Sequence, residues 1–499
     1  MASAALNTNG VVLCDANLSR LPATVARPNY DRSALRPGIV HIGLGNFHRA
    51  HQAWYIHRLM QQGLAADWAI IGAGVRNQDQ VMRDSLRSQD HLTTLIELSP
   101  DGTSAEVIGS TIDFMPIEAG NASLVRQMAD PAIRIVSLTI TEGGYFMSPT
   151  ESGLDVAHPD IQYDIGHPEH PRTVFGAIVA ALAARRASGS GPFTVLSCDN
   201  LRGNGDIARQ AVLSLAEQLD ASLADWIELT CSFPNSMVDC IVPATGPNEI
   251  ALAQSFGIDD AAPVTHESYR QWVIEDDFCA GRPDLEKVGV IITPEVHAYE
   301  AMKIRILNAG HQVLANVGEL MSVETVAECM AHPVISEFFN KVEHEEIAPY
   351  VSPVPDMTST QYVGLVAQRF SNPEIRDTTR RVAFDGSSRH PEFLLPVIQD
   401  ALESGGTIEG LALVEAFWAR MCAGTRDDGT IIEENDPNWH RLMDAARESA
   451  KRSRAWLEQQ QIYGDLADNP VFEPAFCRWL DMIWSDGCLA TLQAYLDGT

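Results

Sequence analysis

An α/β fold in two domains is what this sequence of 499 residues predicts, and three observations support it. Up to residue 293, short apolar runs that end in glycine or polar residues alternate with segments of helical periodicity, as in a buried parallel sheet. From residue 294 onward the pattern is almost entirely helical. The chain is also too long for a single compact core. We therefore expect an N-terminal Rossmann-type dinucleotide-binding domain over 1–293 and a mostly α-helical domain over 294–499.

Composition and charge exclude several classes of function. The formal net charge of -31 repels phosphate backbones and anionic lipids, so we expect neither a nucleic-acid nor a membrane partner. No apolar run approaches the length of about 18 residues that spans a bilayer, and MASAALNTNG lacks the basic and apolar regions of an export signal. The nine cysteines form no CxxC pair, which favours reduced, mostly buried thiols in a cytoplasmic protein.

The first strand and helix of the predicted sheet carry a glycine-rich turn. The apolar run GIVHIGLG ends in Gly43 and Gly45, and NFHRAHQAWYIHRLMQQG follows with helical periodicity. Glycines at such a turn let the backbone approach a pyrophosphate at the helix N-terminus, where Asn46 and Phe47 are the next cofactor-binding candidates. His48 stands in place of the usual third glycine, so the fingerprint is incomplete.

An acidic residue follows the second strand. WAIIGAGV is a buried-strand pattern, and Asp79 comes shortly after it. A carboxylate there accepts hydrogen bonds from a ribose and repels a 2'-phosphate, which favours NAD over NADP. The separation from Gly43 exceeds the usual spacing of about 20 residues, and Arg76 offers the opposite preference by attracting a phosphate.

Further strand patterns end in polar side chains. IRIVSLTIT, residues 133–141, and FTVLSCDN, residues 193–200, flank the helical pattern TVFGAIVAALAARRA. Ligands of open α/β sheets bind beyond the carboxyl ends of the strands, so Asn200 is a site candidate; the alternative is a turn-capping asparagine. Asp239 lies in a mostly apolar strand or extended loop over 231–243 and needs a hydrogen-bond or ion-pair partner.

The segment 266–293 mixes charge, glycine and proline, and we interpret it as a crossing segment between the domains. Six helical patterns of the second domain lie at 325–347, 359–370, 391–403, 407–422, 437–461 and 472–496. A glycine-containing turn over 380–393 interrupts them and holds Arg380, Arg381 and Arg389. These arginines either bind an anionic or polyhydroxy ligand or form ordinary surface ion pairs.

The second domain opens with one long predicted helix, residues 294–321, with Pro294 in its first turn. At about 100° per residue, Glu300, Asn308 and His311 lie about 60°, 140° and 80° from Lys303. These polar groups form either a solvated stripe or one wall of a cleft. An amine, an amide and an imidazole in a cleft indicate proton transfer beside an oxygen that gains negative charge.

Metal and nucleophile chemistry find little support. The histidines of HRAH, HPEH and HEE lack a convincing set of partner ligands, and H-E-x-x-H is absent. The sequence contains neither a GxSxG elbow nor a GxxxxGK[ST] loop. We therefore expect no metal, no serine hydrolase and no P-loop nucleotide hydrolase.

Six segments in order resemble the signature segments of the polyol-specific long-chain dehydrogenase/reductase family: HIGLGNFHRAHQAW, SLTITEGGYF, SCDNLRGNG, FPNSMVD, KIRILNAGH and DGSSRHPEF. The resemblance implies the two-domain fold described above, oxidation of a polyol to a ketose with NAD, no zinc and a monomer. D-mannitol and D-fructose are the favoured pair. D-arabinitol, D-sorbitol and sugar acids remain alternatives, as does a catalytically silent dinucleotide-binding regulatory protein.

The resemblance also implies roles for individual residues. The K-x4-N-x2-H pattern falls on Lys303, Asn308 and His311, with Lys303 as general base. Lysine acts as a base near neutral pH when burial lowers its pKa from about 10.4. The remaining implied roles are an oxyanion-stabilising pair from Asn200 and Asn308, positioning of substrate hydroxyls by His311 and Asp239, proton gating by Glu300, and substrate contacts by Arg381 and Arg389.

Two departures from the family pattern concern detail rather than the catalytic groups. Cys240 follows Asp239 where the family usually has arginine, which puts the substrate terminus in doubt. Gln78 precedes Asp79 where an acidic residue is frequent, which puts strict discrimination against NADP in doubt.

Overall fold

The computed structural model describes residues 10–148 and 153–498, and the chain divides into two compact units, Met1–His297 and Ala298–Thr499. The first unit contains strands β1 to β13: Val11–Val12, Pro37–Ile42, Ala69–Ala73, Thr93–Ser99, Gly102–Ile108, Thr111–Phe114, Ile135–Leu138, Thr194–Ser197, Ser236–Asp239, Ile258–Asp259, Val264–Glu267, Gln271–Ile274 and Ile291–Ile292. Its helices α1 to α9 are Asn46–Ala50, Gln52–Gln61, Asp79–Arg87, Ala122–Ala129, Pro159–Gly166, Val174–Ser188, Asn204–Leu219, Ala221–Thr230 and Pro247–Ser255.

A five-stranded parallel sheet in the order β6-β3-β2-β7-β8 forms the centre of the first unit. The strand order reverses direction between β2 and β7, which pair side by side. This is the doubly wound order of dinucleotide-binding folds, with its topological switch point at the carboxyl ends of β2 and β7. The predicted Rossmann-type domain is therefore confirmed.

Both faces of this sheet are covered by apolar side chains. Val40 and Val136 belong to one core cluster with residues of α4, α6 and α7. Ile39 and Ile135, one residue earlier on the same strands, belong to a second cluster that includes residues of α2. Because successive residues of a strand point to opposite faces, burial on both faces requires continuous apolar runs.

The segment 266–293 is not the crossing segment that we expected. It contributes the end of β11, all of β12 and β13, and a short 3-10 turn at Leu285–Val288, all within the first unit. β12 pairs antiparallel with β9, and Gln271 lies opposite Asp239. A further sheet in the order β11-β4-β5 was missed from the sequence because β11 and β4 pair over a long separation along the chain.

The second unit is helical. Helices α10 to α22 are Val296–Met302, Ala309–Leu320, Val326–Ala331, Pro333–Val342, Ser359–Phe370, Thr379–Val382, Gly386–Phe393, Leu395–Glu403, Glu409–Met421, Trp439–Ser449, Gln460–Tyr463, Phe472–Asp486 and Cys488–Asp497. α11 packs against α13, α15 and α18, and each of its residues except His311 is buried. α11 is therefore a core helix rather than a surface helix with a solvated stripe.

The long predicted helix 294–321 is interrupted by a π-helical segment. The chain is α-helical over α10, π-helical over Lys303–Asn308 and α-helical again over α11. The first helical residue is Val296, so Pro294 precedes the helix instead of lying in its first turn. Other long predicted helices are also divided: α12 and α13 meet at Pro333, and α21 ends before Gly487, whose φ is 81°.

A second π-helical segment, Glu343–Ile347, follows α13 and contacts the first. Glu343 is completely buried, and neither of its carboxyl oxygens has a hydrogen-bond partner in the described part of the chain. Burial raises the pKa of this carboxyl well above its usual value. Glu346 is also buried, but it accepts hydrogen bonds from the amides of Gly410 and Leu411 and from the Tyr495 hydroxyl. The two acids thus lie on the same π turn, but the carboxyl of Glu346 is hydrogen-bonded, whereas that of Glu343 is not bonded to any described residue.

All nine cysteines lie in the described part of the chain, and all are free thiols. Four of them are buried and Cys279 is exposed, so the prediction of mostly buried thiols holds only in part. Among the described residues, the helices are too short or too polar to cross a membrane.

Candidate functional site

The residues predicted for function fall into two groups, one on each unit. The first unit carries Gly43, Gly45, Asn46, Phe47, Asp79, Asn200 and Asp239. The second unit carries Glu300, Lys303, Asn308, His311, Arg381 and Arg389. Within the first group, all but Asp239 follow the carboxyl ends of β2, β3 and β8, which share one edge of the parallel sheet.

Two glycines shape the turn between β2 and α1. Gly43 has a φ of 93°, and a Cβ there would lie 2.1 Å from the carbonyl oxygen of Thr139, so the position requires glycine. Gly45 is the N-cap of α1 with a φ of -106°. A Cβ at Gly45 would meet no atom of residues 10–148 and 153–498 closer than 3.8 Å. These residues therefore leave open space beside Gly45.

The next three side chains are turned into the unit. Asn46 Nδ2 donates to the Pro243 carbonyl oxygen at 3.1 Å and to Thr245 Oγ1 at 2.9 Å. Phe47 stacks on the imidazole of His51 with 4.9 Å between ring centroids. His48, in place of the third glycine, is buried against the ring of His41. The side chains of Asn46 and Phe47 thus fix the turn, and their backbone amides are the groups left for a ligand.

Asp79 is the first residue of α3 and lies close to the end of β3. Its Oδ2 accepts a hydrogen bond from the Arg76 amide at 3.0 Å. A Cβ on Gly74 would lie 2.3 Å from the same oxygen, so the carboxylate occupies the space that Gly74 leaves. Gln78, the N-cap of α3, is exposed. The Asp79 carboxylate is thus held beside Gly74, just after β3, and its role as a ribose ligand stays a prediction.

Asn200 is exposed on the turn after β8, and the preceding Asp199 anchors this turn. The Asp199 carboxylate accepts hydrogen bonds from the amides of Ile140 at 3.0 Å and Thr141 at 2.8 Å, and from the Tyr145 hydroxyl at 2.7 Å. Thr141 has a φ of 63°, a backbone conformation that is strained for threonine. Asp199 therefore joins the carboxyl ends of β7 and β8 and positions the backbone that carries Asn200.

Asp239 is the buried last residue of β9. Asn204 Nδ2 joins the two regions by donating to the backbone oxygens of Asp199 at 2.9 Å and Ser236 at 2.8 Å. Next to Asp239 lies the half-buried Cys240, whose sulfur is near the guanidinium of Arg270. Burial lowers the pKa of Arg270, and Cys240 offsets part of this shift. A guanidinium from the neighbouring strand segment thus lies near the position where the family usually has arginine.

In the second unit, the π-helical segment begins at Lys303 and ends at Asn308. A π turn closes hydrogen bonds between residues five apart, and such turns are frequent at functional sites. Because Lys303 and Asn308 are five residues apart, the π turn brings onto one side two groups that an α-helix would separate by about 140°. Glu300, one turn earlier, and Lys303 are buried, with 4 % and 9 % of their surfaces exposed.

His311 is the one residue of α11 that is not fully buried, with 12 % of its side chain exposed. Its ring stacks on Phe370 with 4.3 Å between centroids, and its Nε2 lies 3.8 Å from Asp377 Oδ2. Burial lowers the pKa of His311 to about 4, although the carboxylate of Asp377 acts in the opposite direction. The imidazole is therefore neutral at physiological pH and presents one donor and one acceptor nitrogen.

The predicted glycine turn over 380–393 is in fact mostly helical: α15 and α16 are joined at Ala383–Asp385. Arg381 forms two hydrogen bonds with Asp377, from Nε at 2.6 Å and from Nη2 at 2.5 Å. Arg389 Nη1 donates to the Val382 carbonyl oxygen at 2.7 Å, which also accepts from Gln312 at 2.9 Å.

Sequence reasoning missed Asp377 entirely. A signal for it exists, because Asp377 precedes Arg381 by four residues, the spacing at which opposite charges pair on one turn. Arg380, by contrast, donates to the carbonyl oxygens of Glu433 and Glu434, so it serves a loop contact. Within residues 10–148 and 153–498, no group of three or more metal-ligating side chains is brought together.

Comparison with known proteins follows the same division of the chain. The profile of the mannitol dehydrogenase Rossmann domain matches residues 37–287, and that of the mannitol dehydrogenase C-terminal domain matches residues 295–484. The chain is 55% identical over 473 residues to mannitol 2-dehydrogenase of Cereibacter sphaeroides, covering 95% of this chain and 99% of the relative. It is 40% identical to the enzyme of the same name from Phaeosphaeria nodorum, covering 96% and 84%.

Two solved structures share the complete fold. One is Pseudomonas fluorescens mannitol 2-dehydrogenase in a ternary complex with NAD and D-mannitol, with 40% identity and a TM-score of 0.87 over 98% of this chain and 100% of that one. The other is D-sorbitol dehydrogenase in substrate-free form, with 34% identity and a TM-score of 0.89 over 96% and 100%. With both domain profiles matched and relatives similar over nearly their whole length, the chain belongs to the mannitol dehydrogenase family.

Proposed function

We propose that this protein is an NAD-dependent polyol dehydrogenase that interconverts D-mannitol and D-fructose. The observation that carries the proposal is the π turn, which starts at Lys303 and ends at Asn308 in the buried helix of the second unit. A base and an amide donor at the two ends of a single turn provide the two functions that alcohol oxidation needs. The 55% identity with a mannitol 2-dehydrogenase supports the choice of substrate.

The first unit has the features that a dinucleotide requires. The open space beside Gly45 allows a phosphate to approach the backbone at the start of α1. The Asp79 carboxylate, held beside Gly74, accepts hydrogen bonds from a ribose and repels a 2'-phosphate, so we propose NAD rather than NADP. When bound, NAD supplies the hydride acceptor. The NAD complex of the Pseudomonas fluorescens relative agrees with this assignment.

In the proposed reaction, Lys303 removes the proton from the substrate hydroxyl during oxidation and returns it during reduction. The amides of Asn200 and Asn308 donate hydrogen bonds to the oxygen as it gains negative charge, and losing one such donor typically costs about 3 kcal/mol in the barrier. Glu300, buried one turn before Lys303, exchanges the proton with solvent. The two asparagine amides stabilise the alkoxide by hydrogen bonds, so we propose that the reaction is independent of metal.

The remaining polar groups hold the hydroxyls of the substrate. Neutral His311 donates or accepts a hydrogen bond without adding charge, and Asp239 accepts from hydroxyl groups. Arg381 and Arg389 donate to hydroxyl oxygens farther along the chain of the substrate. A site built from donors and acceptors in this proportion suits an uncharged polyhydroxy chain.

Other substrates of the same class remain alternatives. The similarity to D-sorbitol dehydrogenase favours D-sorbitol as the second candidate. D-arabinitol and sugar acids differ from mannitol in length or in charge at one end. A catalytically silent dinucleotide-binding protein would keep the turn at Gly43 but has no need for a buried lysine on a π turn.

The experiment that tests the proposal is a panel of polyols, assayed through nicotinamide absorbance with NAD+ and with NADP+. We expect the highest kcat/KM with D-mannitol and NAD+, and the reverse reaction with D-fructose and NADH. A higher kcat/KM with sorbitol or arabinitol would reassign the substrate. Measurable NAD binding with no turnover on any polyol or ketose would favour the silent binder.

We also propose a monomer as the working form and the cytoplasm as its compartment. The free state of all nine cysteines is compatible with a reducing compartment. Light scattering behind a sizing column gives the molar mass directly, and a value near 54.5 kDa supports the monomer, whereas twice that mass refutes it.

A further inference from the structure

Asp377 is a buried carboxylate that faces an exposed arginine. Its exposed side-chain fraction is 6 %, whereas that of Arg381 is 62 %. The two hydrogen bonds, from Nε and Nη2 of Arg381, form a bidentate pair. The backbone of Asp377 is fixed as well, because its carbonyl oxygen accepts from the Val326 amide at 2.9 Å. The carboxylate thus holds one edge of the guanidinium and leaves the other edge exposed.

The pairing with Asp377 affects the hydrogen-bond donors of Arg381 and its positive charge differently. A guanidinium carries five N–H donors and one positive charge. Two donors are used by Asp377, so three remain for hydroxyl oxygens, while the positive charge is offset by the adjacent carboxylate. The second neighbour of Asp377, the neutral ring of His311, adds no compensating charge.

We propose that Asp377 determines specificity by offsetting the charge of Arg381, so that the site selects an uncharged polyol over a sugar acid of the same length. The inference rests on the proposed function, since it takes Arg381 to be a substrate contact. A carboxylate on the substrate at the exposed edge of Arg381 meets attraction from the guanidinium and repulsion from Asp377 behind it, so the net attraction is weakened. A hydroxyl group meets only the three available donors.

The test compares sodium D-mannonate with D-mannitol, which differ by a carboxylate at one end. Calorimetric titration in saturating NAD+ gives both affinities when every protein also carries Lys303→Ala, which prevents turnover of mannitol during the titration. Steady-state assays of the same proteins with Lys303 restored give both kcat/KM values. We expect the parent to bind mannitol more tightly than mannonate. In Asp377→Asn, which keeps the shape and removes the charge, we expect the mannonate-to-mannitol ratio of affinities to rise about tenfold or more and to fall again with added salt.

Two further variants separate charge from structure. Glu324→Gln removes the carboxylate that pairs with Arg376, a neighbouring exposed arginine outside the site, and leaves the ratio unchanged. The double variant Asp377→Asn/Arg381→Gln returns the ratio to that of the parent, because the gain acts through Arg381.

Three results would overturn the inference: a parent that binds mannonate more tightly than mannitol, an unchanged ratio in folded Asp377→Asn, or the same rise in the double variant. The parent measurement can overturn the inference even if Asp377→Asn fails to fold. A parent that binds mannitol selectively but turns over no polyol refutes the proposed function and leaves the selectivity result in place.

Discussion

Replacing Glu343 with glutamine is expected to stabilise the second unit, by an amount that grows with pH. The carboxyl is fully buried and has no hydrogen-bond partner among the residues that the structure describes, so its pKa in the folded protein lies well above the usual value. The unfolded chain releases this proton above a pKa of about 4.3. The unfolded state therefore binds fewer protons than the folded state, and stability falls as the pH rises from about 4.3 toward the folded pKa.

The magnitude follows from this linkage. Each pH unit between the unfolded and the folded pKa removes about 1.4 kcal/mol of unfolding free energy from the parent relative to Glu343→Gln, so stability is compared at two pH values one unit apart, the lower of them about pH 5. Urea unfolding at both pH values, followed by hydrogen exchange of peptides from α11 and α13, measures this difference in the second unit.

Glu346→Gln, on the same π turn, is the control for the loss of carboxylate hydrogen bonds; burial raises the pKa of Glu346 as well, so this variant is compared at one pH only. Glu346 accepts three hydrogen bonds, two of them from backbone amides. In Glu346→Gln the side-chain NH2 group would face one of these N–H or O–H donors, so that hydrogen bond is lost and the free energy of unfolding falls. If Glu343→Gln and the parent show the same dependence of stability on pH, the carboxyl is ionised in the folded state and the reasoning fails.

Three other predictions concern the proposed site. Lys303→Ala should lower kcat for mannitol oxidation by about 10²- to 10⁴-fold with little change in NAD affinity; activity within a few-fold of the parent would remove Lys303 from its role. Asp79→Ala should raise activity with NADP+ relative to NAD+, and an unchanged ratio would place the discriminating residue elsewhere. The parent should lose unfolding free energy as the pH falls from about 6.5 to about 4, because the folded state keeps His311 neutral while the unfolded chain protonates it. His311→Gln should lose less over the same range, and equal losses in both proteins, measured by urea unfolding, would contradict this.

The sheet of the first unit was predictable because burial on both faces demands continuous apolar runs, and the glycine turn at Gly43 because no other residue fits there. Pairing between β4 and β11 was not, since local patterns carry no information about partners so distant in the chain. For the same reason, the segment 266–293 was taken for a connection. Its strands are short, and the charged residues around them interrupt the apolar pattern by which a strand is recognised in a sequence.

The site was predictable in its residues but not in its geometry. An α-helical projection left Asn308 about 140° from Lys303, and no propensity distinguishes an α turn from a π turn. Asp377 escaped because an acid four residues before an arginine is common on surfaces. Its burial beside His311 is a tertiary feature.

The π turn at Lys303–Asn308 can also be described as a turn of α-helix with one inserted residue. Deleting a single residue, such as Ile304, would restore regular α-helical hydrogen bonding and make α10 and α11 one continuous helix. Lys303 would then precede Asn308 by four residues and would stay on the same side of the helix, because an α-helix also brings residues four apart onto one face. The deletion variant therefore keeps Lys303 and Asn308 on one side and removes only the wider turn between them, so its activity relative to the parent measures what the π turn itself contributes.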